Sequence, residues 1–230
     1  SRLIYVSYVK SDVKTPADCY EDLGKANAYT TDDLMYRHWD HTVMEIPHSF
    51  IADFSPKAAA SVTPETSTDI LAGEPANYEL PTEPFSGIEQ LDWSPDGKFI
   101  AYSCRKVTGK KYAFSTNTEI YIYNVENGKC SKISTAGGYD TDPVWSPDGS
   151  KICWVSMERD GYEADKQRLM ISDLNWSELD ENGCPKASEP VDATADFKYN
   201  VSGPVWDENC KEIYFASLAE GLQGIFKAES

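Results

Sequence analysis

Apolar and polar positions in this chain fall into short runs broken by turn residues, the pattern of strands and not of helices. One phrase stands out. Leu91-Asp92-Trp93-Ser94-Pro95-Asp96-Gly97-Lys98-Phe99-Ile100-Ala101-Tyr102-Ser103 recurs as Pro143-Val144-Trp145-Ser146-Pro147-Asp148-Gly149-Ser150-Lys151-Ile152-Cys153-Trp154-Val155-Ser156. A degraded third copy runs from Pro204-Val205-Trp206 through Asp207-Glu208-Asn209-Cys210 to Ile213-Tyr214-Phe215-Ala216-Ser217. Trp93, Trp145 and Trp206 follow one another at intervals of 52 and 61 residues.

Each part of the phrase has a physical task. The tryptophan ends a short strand and offers a large apolar anchor between neighbouring sheets. Ser-Pro-Asp-Gly then turns the chain: proline presets φ, Asp96 and Asp148 bond their own backbone, and Gly97 and Gly149 supply positive φ. The β-branched and aromatic run that follows reads as a buried second strand. Third and fourth strands are predicted over Glu119–Tyr123 and Lys129–Ile133, joined at Glu126-Asn127-Gly128, and over Arg168–Ser172 and Glu189–Asp192. Between the last two, Asn175 to Ala187 reads as a polar surface loop. Strand units at this period predict an all-β fold, a partial β-propeller of four-stranded antiparallel blades. A two-sheet sandwich is the alternative, and sandwiches rarely repeat one Trp-turn-strand phrase at blade spacing.

The N-terminal third lacks the phrase but has strand-like runs at Leu3–Val9, Leu34–Trp39, His48–Phe54 and Asp69–Leu71. The predicted division is therefore a partial blade and loop over 1–24, a diverged blade over 25–84, blades over 85–138 and 139–198, and a partial blade over 199–230. Ser11 to Thr31 reads as a loop or short helix, and Ala72 to Pro84 as an extended connection. Both ends fall in strand-like runs, so the chain reads as cut from a longer protein. Open blade edges are then expected to drive self-association or to leave a mobile terminal blade.

Composition narrows the function classes. Thirty-eight acidic side chains against 21 basic ones, a net charge of −17, leave no basic stripe for a nucleic acid. No apolar run approaches the ~20 residues needed to span a bilayer. The six cysteines form no CxxC pair, and Cys104 and Cys153 sit in strand-like runs as small apolar residues do.

The Trp-Ser-Pro-Asp-Gly phrase resembles the repeat of two groups: the Tol-system propellers and the gating propeller of the prolyl oligopeptidase family of serine peptidases. A second match points to the peptidases. Leu3-Ile4-Tyr5-Val6-Ser7, a polar segment with Cys19, then Arg37-His38-Trp39-Asp40 before His48-Ser49-Phe50-Ile51 is similar to the branch of dipeptidyl peptidase V and acylaminoacyl peptidase. It departs after Asp40, where His41 to Pro47 replaces an Asp-Gly-Lys/Arg turn. The resemblance implies a non-catalytic propeller that restricts entry to short peptides and holds the substrate N-terminus, above a C-terminal α/β-hydrolase domain absent from this chain. The alternative is a stand-alone Tol-type scaffold for protein–protein interaction.

Catalytic chemistry within the chain itself is not expected. No two glycines stand four apart around a serine, so there is no nucleophile elbow. All three histidines, His38, His41 and His48, precede most of the chain, which rules out a hydrolase order of Ser, Asp, His. A metal among them is disfavoured, because His38 and Asp40 share a strand face that His41 leaves. The resemblance implies instead that His38 belongs to a structural Arg-His-Trp-Asp strand, in which Arg37 or Asp40 is expected to form a buried pair. Asp96 and Asp148 lack the multi-oxygen loop of a calcium site. Asn175-Trp176-Ser177 and Asn200-Val201-Ser202 fit a glycosylation triplet that is common by chance. The expected cofactor is none, and the structural residues are Arg37, His38, Trp39, Asp40, Trp93, Asp96, Gly97, Trp145, Asp148, Gly149 and Trp206. The compartment is left open, with the periplasm favoured over the cytoplasm.

Overall fold

The structure, a computed structural model, describes residues 1–11, 13–31, 34–38, 40–55, 62–75, 77–83 and 87–230. The chain divides into two compact units, one of residues 1–85 with 106–115, the other of residues 86–105 with 116–230.

In the first unit, β1 (Arg2–Lys10) leads through a short helix α1 (Pro16–Cys19) to a small hairpin of β2 (Arg37–His38) and β3 (His41–Thr42). Then come β4 (Glu45–Asp53) and β5 (Thr68–Asp69). The sheet order is β1-β4-β5. Every residue of β4 between its ends is buried, as befits a central strand covered on both faces, whereas β1 alternates as an edge strand does. Arg2 pairs with Asp53 and Lys10 with Glu45. Leu3–Val9 therefore shares a sheet with residues that the sequence reading put in a separate blade over 25–84. The run Leu34–Trp39 was expected to be one strand. Only Arg37–His38 pairs, because the chain folds back at once onto His41–Thr42; Trp39 lies outside the described residues.

The second unit carries three stacked sheets. The first runs β6 (Leu91–Trp93), β7 (Phe99–Cys104), β8 (Glu119–Asn124), β9 (Lys129–Lys132), in that order. The second contains β10 (Asp140–Trp145), β11 (Lys151–Ser156), β12 (Arg168–Leu179), β13 (Pro185–Ala187) and β14 (Val191–Asp192), with β13 and β14 both on β12. The third is β15 (Ser202–Trp206), β16 (Glu212–Ala219) and β17 (Leu222–Glu229). All these pairings are antiparallel.

The core lies between sheets. Phe99, Ala101, Ile120 and Ile122 of the first sheet pack on Trp145, Ile152 and Trp154 of the second. Cys153, Val155, Leu169 and Ile171 on the opposite face of the second sheet pack on Trp206, Ile213 and Phe215 of the third. Each such aliphatic side chain stabilises the stack by about 1.5–3 kcal/mol.

One expectation is overturned. Residues 175–187 are not a surface loop but a hairpin that prolongs β12 and returns as β13, with Leu174 opposite Ala187 and Leu179 opposite Pro185. Asp180 closes its turn by accepting the Asn182 and Cys184 amides at 2.9 and 3.0 Å. The polar composition fits this role, because those groups bond the neighbouring sheet. Asn182 Nδ2 donates to the Cys130 carbonyl and to Ser131 Oγ, each at 3.0 Å, and Asn124 Nδ2 donates to the Gly183 carbonyl. Cys184 is fully buried among the core residues between the two sheets.

Candidate functional site

The repeated phrase builds the same device at each sheet junction. The Trp145 indole Nε1 donates to the Asp92 carbonyl at 3.2 Å, and Trp206 Nε1 donates to the Val144 carbonyl at 3.1 Å. Each acceptor is the residue before the preceding tryptophan, so each sheet is keyed to the one before it. Asp92 holds Trp145 a second time, its carboxylate accepting the Trp145 amide at 2.8 Å, and burial pushes the Asp92 carboxyl above its usual range. Trp93, the first of the series, is half-buried. Trp176 of the hairpin stacks on Trp145 at 6.2 Å and donates its indole N–H to the Gly149 carbonyl.

The turns are equally alike. Ser94 Oγ donates to Asp96 and accepts the Phe99 amide, while Asp96 also accepts the Lys98 amide. Ser146, Asp148, Ser150 and Lys151 repeat these bonds. The hydroxyl and amide donors hold the Asp148 carboxyl well below the usual carboxylate range. Gly97 and Gly149 take φ of +69° and +70°. In the third copy Asp207 alone accepts the Lys211 and Glu212 amides, and Cys210 occupies the glycine position at φ +59°.

The Arg37–Asp40 segment does not supply the expected buried pair. Arg37 is exposed, and Asp40, also exposed, stands 3.4 Å from Nδ1 of its neighbour His41. His48 on β4 is buried, and its Nδ1 lies 2.8 Å from Asp69 of β5. Among the described residues no group of three or more His, Cys, Asp or Glu is gathered for a metal ion.

What the sequence reading missed is an acidic pocket in the first unit. A cavity of about 300 Å³ is lined by Tyr8, His41, Glu45, Glu79 and Glu83, with Thr42, Val43 and Met44. The β1–β4 pairing brings Tyr8 beside Pro47, and the chain after β5 adds Glu79 and Glu83. Tyr8 donates to Glu83 Oε1 at 3.0 Å, which pushes its phenol pKa up, and Tyr112 donates to Glu79 Oε2 at 2.7 Å. These bonds hold two of the three lining carboxylates in place. Glu79 is almost fully buried. Such a site favours a cationic group over an anion. Its acids are 34 and 4 residues apart along the chain, so no local motif marks it.

The stacked, tryptophan-keyed sheets define a β-propeller segment. In sequence it is similar to part of the dipeptidyl-peptidase 5 proteins. A dipeptidyl-peptidase 5 of Porphyromonas gingivalis is 45% identical over 215 residues, which is 93% of this chain and 29% of that protein. One from Porphyromonas endodontalis is 39% identical over 174 residues, 74% of this chain and 24% of that protein. The chain thus spans under a third of the length of these relatives. No family model matches it. In fold, it is similar to the crystal structure of a proposed dipeptidyl aminopeptidase IV from Bacteroides ovatus, with a TM-score of 0.55 at 15% identity, covering 99% of this chain and 30% of that one.

Proposed function

We propose that this chain gates and orients short peptides for a C-terminal α/β-hydrolase serine-peptidase domain of the same protein, and that the acidic pocket receives the peptide's N-terminal ammonium. The observation that carries this reading is the match of 93% of the chain to 29% of a dipeptidyl-peptidase 5. The absence of a nucleophile elbow from the sequence agrees with a supporting role. In this reading 85–138, 139–198 and 199–230 are successive blades, and 1–24 joins 25–84 in one sheet.

The test uses the full-length protein. Replacing Glu79 and Glu83 by Gln is expected to raise KM for dipeptide substrates about tenfold or more, with kcat little changed, since a uniform binding contact is lost. N-acetylated substrates, which lack the ammonium, should not respond to the substitutions. A gene product without a hydrolase domain, or variants with unaltered KM, would overturn the reading. The 230-residue chain alone is expected to release no dipeptide.

A further inference from the structure

Asp140 opens β10 at the seam between the first and second sheets of the second unit, and it is fully buried. Its backbone stitches the seam. The amide donates to the Thr118 carbonyl at 3.2 Å, and its own carbonyl accepts the Ser103 and Thr118 hydroxyls, each at 2.6 Å. Its side chain is held less well: neither carboxyl oxygen makes an aligned hydrogen bond among the described residues, and the Ser156 and Ser134 hydroxyls and the Trp154 indole, which lie near it and favour its charged form, offset only part of the cost of burial. The nearby hydroxyls are committed elsewhere, Ser134 to Glu119 Oε2 at 2.6 Å and Ser156 to the Met157 carbonyl.

The position does not demand an acid. In the third sheet Val201, five residues before Trp206 as Asp140 is before Trp145, is fully buried too. An aliphatic residue therefore fits this place in the repeat, and a carboxyl here costs stability whenever it is charged. The charged groups facing it are Glu119 on β8, itself paired with Lys132 of β9, and, beyond Ser156, Arg168 on β12, which reaches Glu158. Glu119 opposes a second negative charge, and no ion pair joins Asp140 to either base.

We propose that Asp140 is a protonation-dependent latch between two propeller sheets: the seam closes on the neutral carboxylic acid and loosens when the acid ionises. Burial pushes the Asp140 carboxyl up to about 7, so the change falls near neutrality. The sign follows from proton linkage. Between the ordinary aspartate range and about 7 the folded chain keeps a proton that the unfolded chain releases. The folding constant then falls about tenfold per pH unit as pH rises through that window, and levels off above it.

The test compares the full chain with Asp140→Asn, a neutral isostere, and Asp140→Val, which copies Val201. Denaturant unfolding from pH 4.5 to 8.5 reads the linkage, and amide hydrogen exchange at Asp140 and Ile120 reads the seam. In the wild type, exchange at these amides beyond the intrinsic base-catalysed rate should rise about tenfold from pH 6 to 8, and in both variants it should not. The variants should also lose the wild-type fall in folding constant up to pH 7. Variants that follow the wild-type pH dependence would overturn the proposal. A wild-type seam whose protection does not change from pH 6 to 8 would overturn it without any substitution.

Discussion

Trp206 and Val144, 62 positions apart in the chain, are joined by an indole N–H donated to a main-chain carbonyl at 3.1 Å. The bond repeats the one between Trp145 and Asp92, so it belongs to the repeat and not to a single junction. Trp206→Phe keeps most of the ring but loses the donor, and should cost about 1 kcal/mol. Trp206→Ala also empties the space between two sheets, and should cost about 3–5 kcal/mol. Urea unfolding of both variants separates the bond from the packing, and equal losses would contradict this division.

Cys210 sits at φ +59° in the turn where the two earlier copies have glycine. A side chain in that backbone region is strained by roughly 1–2 kcal/mol. Cys210→Gly should therefore raise the urea midpoint, with a net gain of about 0.5–1 kcal/mol after the entropy that glycine loses on folding. Gly149→Ala, at φ +70°, should shift the midpoint the other way.

Asp148 responds to acid with the opposite sign to Asp140. Its folded carboxyl is held well below the usual range by Ser146 and the Ser150 amide and hydroxyl. Its stabilising contribution is present above the ordinary aspartate range and is lost as pH falls through the folded value. Asp148→Asn should be less stable than the wild type at pH 7, and the difference should shrink towards pH 2. A gap in thermal midpoint that stays constant over this range would show that the charge is not involved.

The hairpin over 175–187 should act as a clasp between two sheets. Asn182→Ala removes its bonds to Cys130 and Ser131 and should cost about 1–2 kcal/mol. Hydrogen exchange should quicken along β9 as well as in the hairpin. Faster exchange confined to the hairpin would mean that the contact transmits no stability.

The outward face of the third sheet carries Val205, Tyr214, Leu218 and Ile225, with Ile225 81% exposed. On the same face of the second sheet, Cys153, Val155, Leu169 and Ile171 are covered by a neighbouring sheet. An apolar sheet face of this kind promotes association. Sedimentation is expected to show association of the 230-residue chain that grows with salt, as repulsion between acidic copies is screened. Ile225→Lys with Leu218→Lys should return it to monomer.

Much of the second unit was legible in the sequence, because its strands are set by local alternation and its turns by Ser, Pro, Asp and Gly at fixed offsets. The same logic missed the hairpin. Asn182 and Asp180 look like solvent-facing residues until the first sheet is placed where Asn182 can bond it. Arg37 to Asp40 pointed towards the dipeptidyl peptidases that the chain resembles, yet its strand is two residues long and Arg37 and Asp40 are exposed.

The sequence by itself determined the class of structure: short strands, a tryptophan-keyed repeat, and the lack of a hydrolase elbow. Only the tertiary structure decided which polar groups matter. Glu79 and Glu83 become a pocket when Tyr8 arrives from the far end of a sheet, and Asp140 becomes a buried acid when two sheets close over it. Strand and turn signals act over a few residues and are written locally. Charge, burial and pKa depend on groups that lie tens of residues apart until the chain is folded.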